Sequence, residues 1–241
     1  MFFSVITPTF NSTKYIKKNI TSLNKQPKIF EQIFIDNLSS DSTIKTIKKN
    51  VKYPFKIIKE KDLGIYYAMN KGINIARGKF LLFLNSDDWL PANILQLVRN
   101  EIKKNKGYDV YYGNSNFYEN NILKFAQKSD ISKILNKNSI SHQATYYSNK
   151  IFSKFKYDTK YLIAADYDLS IKLYQNRYKF FYINKILSNN KLGGFSSNLY
   201  ISSKEFMKIQ NKYLGMLKSM YNFIKVYHYK TFLIFFSFFF K

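Results

Sequence analysis

The chain has 241 residues, enough for one large domain with a proper core, and its 39 Lys plus Arg against 15 Asp plus Glu give a formal net charge of +24. It has no cysteine, which excludes disulfides and thiolate metal sites. The charge points to anionic partners such as nucleic acid, acidic membrane or phosphorylated substrates, although a chain so rich in Lys, Asn, Ile, Phe and Tyr also acquires charge by compositional drift.

In chain order, the start "MFFSVITPTF" lacks a basic segment and a small-residue cleavage site, so it does not read as a secretory signal. Phe2 to Ile6 reads as a strand, and Pro8 breaks the loop after it. A helix follows with Ile16, Ile20 and Leu23 on one face. Ile33 to Asp36 is the next strand. Asp41 is placed to cap a helix carrying Ile44, Ile47 and Val51 on its inner side. Phe55 to Ile58 makes a third strand, and Ile65 to Ala76 a helix with Ile65, Met69, Ile73 and Ala76 on one face. Phe80 to Leu84 is apolar on both faces, as central strands of a covered parallel sheet are. Strand and helix alternating in this way predict an α/β fold, with a mostly parallel sheet and helices on both faces.

The second half breaks the rhythm. "YDVYYGNSNFYENNILKFAQ" reads as two strands joined by a polar turn, which adds an antiparallel element to the sheet. A helix near Ala165 to Asn176, a strand from Tyr178 to Ile183 and a helical stretch over 203–227 follow. Neither an internal repeat nor a flexible linker is evident. The division expected is a domain over 1–200 and a helical, aromatic-rich tail over 201–241. That tail ends "NFIKVYHYKTFLIFFSFFFK", too short an apolar run for the roughly 20 residues of a membrane-spanning helix. It suits peripheral attachment to an anionic membrane surface, on the cytoplasmic face of the plasma membrane. The alternative is a helix that packs on the domain or mediates a homodimer.

In open α/β sheets, ligands bind beyond the carboxyl ends of the strands. Thr7 and Thr9 lie at the end of the first strand, Asp36 at the end of the second, Glu60 and Asp62 after the third, and Asn85, Ser86, Asp87 and Asp88 after the fourth. Acids gathered on one rim of so basic a chain point to a divalent cation, Mn²⁺ or Mg²⁺, which takes oxygen ligands together with substrate phosphates.

The stretches "SVITPTFN", "IFIDNLSSDST", "EKDLGIYYAMNKGINIARGKFLLFLNSDDWL", "SHQATYY", "AADYDLSIKL" and "GGFSS" occur in that order over residues 3 to about 197. In them the chain resembles the family 2 glycosyltransferases, inverting enzymes of the GT-A fold, and especially bacterial members that build surface polysaccharides and lipid-linked glycans. The resemblance implies a nucleotide-sugar donor, a UDP-sugar foremost, and a glycan or lipid-linked acceptor. It puts Asp36 at the nucleotide base, Thr7 in the loop lining the same pocket and Asp62 against the nucleoside. Asn85-Ser86-Asp87 falls at the family's acidic metal motif, with Asn85 in place of the first acid and free to bond the ribose. Asp87 is then the metal ligand, and Asp88 either assists it or caps a helix. Asp166 falls at the position of the catalytic base. His142 reaches the pyrophosphate or the acceptor, or is a buried structural histidine. Two departures stand out: Tyr67 occupies a position usually acidic in close relatives, and "IDNLSSD" lacks a second acid after the first. The rival readings are a non-catalytic member of the same family and a nucleic-acid-binding protein, the latter disfavoured by the acidic rim.

Overall fold

The structure is a computed structural model, and it describes residues 1–194 and 198–222. The first half is β1 (Phe3–Thr9), α1 (Thr13–Asn24), β2 (Phe30–Asp36), α2 (Thr43–Asn50), β3 (Phe55–Lys59), α3 (Ile65–Ile75), β4 (Phe80–Phe83) and α4 (Ile94–Lys104). The strands lie side by side in the order β3, β2, β1, β4, all parallel. Because successive strand residues face opposite ways, Phe3 and Val5 pack with Leu23, Leu82 and α4's Leu95 on one face. Ile6, Ile33, Ile35 and Leu81 pack with Met69 of α3 on the other. Helix α1 buries Ile16, Ile20 and Leu23, the stripe its spacing predicts. Helix α3 sits so close to β1 that a Cβ on Gly72 would come within 2.4 Å of Ile6 Cγ2.

The second half is β5 (Val110–Glu119), β6 (Ile122–Gln127), β7 (Thr145–Ser148), α5 (Ala165–Gln175), β8 (Phe180–Lys191) and α6 (Leu199–Leu214). Strand β7 runs antiparallel between β4 and β5 and had no counterpart among the predicted strands. The expected hairpin is β5–β6; its turn residues Asn120 and Asn121 have φ of 50° and 65°, the left-handed pair that a two-residue turn demands. Strand β8 pairs parallel with β5. It is far longer than the expected Tyr178–Ile183, because its second half buries Ser188, Asn189 and Asn190, polar residues that leave no apolar pattern. Near its end Asn189 exchanges backbone hydrogen bonds with Trp89 (3.0 and 2.9 Å), so β8 delivers Lys191 to the loop after β4.

Within the helix expected over 203–227, α6 stops at Gly215 (φ 79°) and a further helical stretch covers 216–222, while residues 223–227 lie outside the described residues. A division at residue 200 cuts this helix. Ile209 is fully buried in the same core cluster as Ile6, and Gln210 Nε2 donates to Asn136 O (2.8 Å), so α6 packs with the rest of the fold. The aromatic segment "TFLIFFSFFF" lies outside the described residues, and among those described no helix is long and apolar enough to cross a membrane.

Candidate active site

A cleft of about 780 Å³ opens at the carboxyl ends of the parallel strands. One wall is the loop after β1. There the hydroxyls of Ser12 and Ser86 lie 2.9 Å apart, joining it to the loop after β4. Asn19 of α1 is fully buried and its amide donates to the carbonyls of Asn85 (2.9 Å) and Asp88 (3.1 Å), which holds the acidic loop in shape. An asparagine on the apolar face of a helix, between Ile16 and Ile20, was the signal in the sequence for this tether.

Two expected donor contacts sit beneath the cleft rather than on its wall. Thr7 is buried within β1, and the lining passes to Pro8 and Thr9. Asp36 is fully buried and its carboxylate accepts from Thr9 Oγ1 (2.9 Å), Ser39 Oγ (2.6 Å) and Ser39 N (2.9 Å). It shapes the loops and does not line the space. Asp62 does line it. Its backbone N–H donates to Asn37 Oδ1 (2.7 Å), and the Lys71 ammonium lies 3.1 Å from its carboxylate and 2.7 Å from that of Glu60. Tyr67 is not on the wall; its neighbour Tyr66 is.

Asn85, Ser86, Asp87 and Asp88 all border the cleft. Asn85 Oδ1 is buried without a hydrogen-bond partner among the described residues. Asp88 is 2% exposed and both its oxygens are engaged, by Gln143 Nε2 (2.9 Å) and by Lys191 N (2.8 Å). Burial and the charge of Asp87 push its carboxyl up to about 7, against the opposing pull of those bonds and of His142. Asp88 therefore ties three segments together and is poorly placed to serve as a metal ligand. Burial also raises Asp87, with the positive charge of Lys191 acting the other way.

Across the cleft, Asp166 stands in the first turn of α5. Its Oδ1 accepts from Tyr167 N (2.9 Å) and lies 3.2 Å from the Tyr66 hydroxyl, and its Oδ2 is 2.8 Å from His142 Nδ1. Burial, followed by the Asp166 charge, pushes the Tyr66 phenol well up, so it remains a donor. The start of α5 is closed by Glu205 of α6, whose carboxylate accepts from the N–H groups of Leu162 (2.7 Å), Ile163 (2.9 Å) and Ala164 (3.0 Å). Tyr66, Gln143, Lys191 and Glu205 were not expected from the sequence. Tyr66, in "EKDLGIYYAMNKG", and Gln143, beside His142 in "SHQATYY", lay in stretches already singled out.

The donor set fits a hard divalent cation that shares its ligands with a substrate. Among the described residues no group of three or more His and acidic side chains converges to hold an ion alone. Asp87 is a carboxylate on the wall with no side-chain partner among the other described residues, which matches sites where one or two carboxylates act with phosphate oxygens.

The model of Glycosyl transferase family 2 matches residues 4–179. A PGL/p-HBAD biosynthesis glycosyltransferase of Mycobacterium bovis is 31% identical over 217 residues, covering 86% of this chain and 82% of the relative. The crystal structure of S. aureus TarS 1-349 in complex with UDP-GlcNAc is similar with a TM-score of 0.69 and 25% identity, over 87% of this chain and 64% of that one. This chain therefore spans less than two-thirds of that solved protein. The mannosyltransferase PcManGT of Pyrobaculum calidifontis, solved with GDP-Man and Mn²⁺, shares the fold at 12% identity with a TM-score of 0.65, over 86% of this chain and 62% of that one.

Proposed function

We propose, from the premise that this chain belongs to glycosyl transferase family 2, that it is an inverting enzyme moving a sugar from a nucleotide-sugar, foremost a UDP-sugar, to a hydroxyl of a glycan or lipid-linked acceptor in cell-surface glycan synthesis. One observation carries the reading: Asp87 on the loop after β4 and Asp166 in the first turn of α5, far apart in sequence, line a single cleft at the strand ends. The UDP-GlcNAc complex of TarS supports the choice of donor, and the M. bovis relative supports the choice of glycan synthesis.

In this reading Asp87, together with the donor phosphates, would hold Mn²⁺ or Mg²⁺, which would supply Lewis-acid stabilisation for the charge of the departing diphosphate. Asn85 Oδ1, buried and unpartnered, takes a hydrogen bond from a ribose hydroxyl. Asp62 faces the nucleoside, while Asp36 and Thr7 support that end from below. Asp166 removes the proton from the acceptor hydroxyl as its oxygen attacks the anomeric carbon from the side opposite the diphosphate. The new C–O bond forms as the sugar–phosphate C–O bond breaks, and the configuration inverts.

The enzyme works at the cytoplasmic face of the membrane, held peripherally. Support comes from the formal charge of +24 and from the exposed Leu199, Tyr200, Met216 and Leu217 on the C-terminal helical region. The test of the function is a screen of nucleotide-sugars with Mn²⁺ or Mg²⁺ that reads released nucleoside diphosphate. Release from one donor, dependent on the metal, is expected; no release from any donor, with or without added acceptors, overturns the reading.

A further inference from the structure

We propose that His142 is a positioning residue for Asp166: its Nδ1–H holds carboxylate oxygen Oδ2 in the orientation in which Asp166 takes the acceptor's proton. The inference rests on the reading of Asp166 as the base and adds a second residue to it. The Nδ1 to Oδ2 distance is 2.8 Å, and both side chains are nearly buried, 12% and 13% exposed, on the wall of the cleft. The ring's other end sets its tautomer. His142 Nε2 is buried with no hydrogen-bond partner among the described residues, so the proton sits on Nδ1, where a carboxylate receives it.

Without His142, Asp166 would be left with few donors. Tyr167 N serves Oδ1, but the single proton of Tyr66 is shared with the carbonyl of Ile163, which lies closer (2.5 Å against 3.2 Å). His142 is then the one side chain that bonds Oδ2 among the described residues, and it fixes which way the carboxylate turns. The same short turn, His142–Ala144, carries Gln143 to Asp88, so its backbone is anchored independently of the imidazole.

The test follows the Asp166 carboxyl by carbon-13 NMR in the full chain labelled at aspartate, with Asp166→Asn identifying the signal by difference. Titratable groups that act on the pair are Tyr66 from α3, Asp88 from the loop after β4, Tyr147 of β7 and Tyr157 before α5; the difference spectrum keeps Asp88 apart from Asp166. His142→Ala should move the Asp166 midpoint up, because a lost donor disfavours the carboxylate. His142→Asn should restore it, since the asparagine amide lies where Nδ1 does. His142→Gln, whose amide reaches the Nε2 position instead, should behave like the alanine variant and stands in for it if that one fails to fold. With UDP-GlcNAc and Mn²⁺ as probe, the acid limb of kcat should move up in the alanine variant while KM for the donor stays unchanged. An Asp166 midpoint indifferent to all three substitutions overturns the proposal. So does a His142→Asn variant with a restored midpoint but no turnover, which would make the imidazole itself the proton acceptor. An Asp166→Asn variant that turns over the probe like the wild type would instead sink the reading of Asp166 as the base.

Discussion

Residue by residue, the two carboxylates on opposite walls carry different expectations. Asp87→Asn removes a charged ligand from the diphosphate end, so calorimetry with UDP and Mn²⁺ should show weakened metal-dependent binding. Transfer should fall at least ~10²-fold, the scale of a lost electrostatic stabiliser. Asp166→Asn keeps the size of the side chain and its place at the head of α5. It should leave UDP binding nearly intact and slow transfer ~10²- to 10⁴-fold, the range for a lost general base. A collapse of UDP affinity in this variant would place Asp166 in the donor pocket. Along the chain Asp88 read as an assistant to Asp87 or as a helix cap. Its two bonds to Gln143 and Lys191 separate them, and neither partner is close to it in sequence.

Among the elements, two carboxylates outside the cleft hold helix starts in place. Asp41, expected to cap α2, serves two helices: Oδ1 accepts from Thr43 N (3.0 Å) and Oδ2 from Thr13 N (3.1 Å) at the start of α1. Burial acts to raise this carboxyl, but the hydrogen bonds of Thr43 and Thr13 outweigh it and hold it down to about 2. A depressed folded-state value means stability that is present above the unfolded value near 4 and lost as pH falls toward 2. Asp41→Ala should therefore cost about 1 kcal/mol in urea unfolding at pH 7, as lost caps do, and the difference from wild type should shrink toward pH 2. Glu205 closes α5 from another element, so Glu205→Ala leaves the N–H groups of Leu162, Ile163 and Ala164 without their acceptor. The expected cost is about 1–3 kcal/mol, with a drop in kcat because α5 carries Asp166. Stability and turnover both unchanged would show that water replaces the carboxylate at no cost.

For the whole molecule, the join between α6 and the rest of the fold decides where the chain can be cut. Lys212 and Tyr213 bond the buried Asp168 of α5 (3.0 and 2.9 Å), and Ser219 Oγ donates to Met207 O (3.0 Å). Removal of residues 223–241 spares all of these contacts and takes away the aromatic segment with its lysines, each able to add about 1 kcal/mol at an anionic surface. The shortened protein should fold, bind UDP and fail to sediment with anionic vesicles. If it still sediments, the basic surface of the domain is the anchor. A cut before α6 should instead unfold the protein, since it strips Ile209 from the core and Glu205 from α5.

What the sequence determined by itself is what repeats locally. The alternation of strands and helices through β4, the buried stripe of α1 and the hairpin at Asn120–Asn121 are set by neighbours a few residues apart, where burial and turn chemistry leave a periodic mark. Asp87 and Asp88 were visible as acids at a strand end for the same reason, whereas Asp166 was found only through the family resemblance of "AADYDLSIKL". Tertiary structure alone decided the rest. The second half of β8 has no apolar pattern because Ser188 and Asn189 are buried as polar partners of Ser115 and Asn116 on β5, and Asn190 as a partner of Ser141. Tyr66, Gln143, Lys191 and Glu205 act on acids distant in the chain, and a hydrogen bond between remote residues leaves no period to read. Thr7 and Asp36 sank beneath the wall for a related reason: strand order fixes which strand end is nearest the cleft, but the burial of each side chain depends on the loops folded over it.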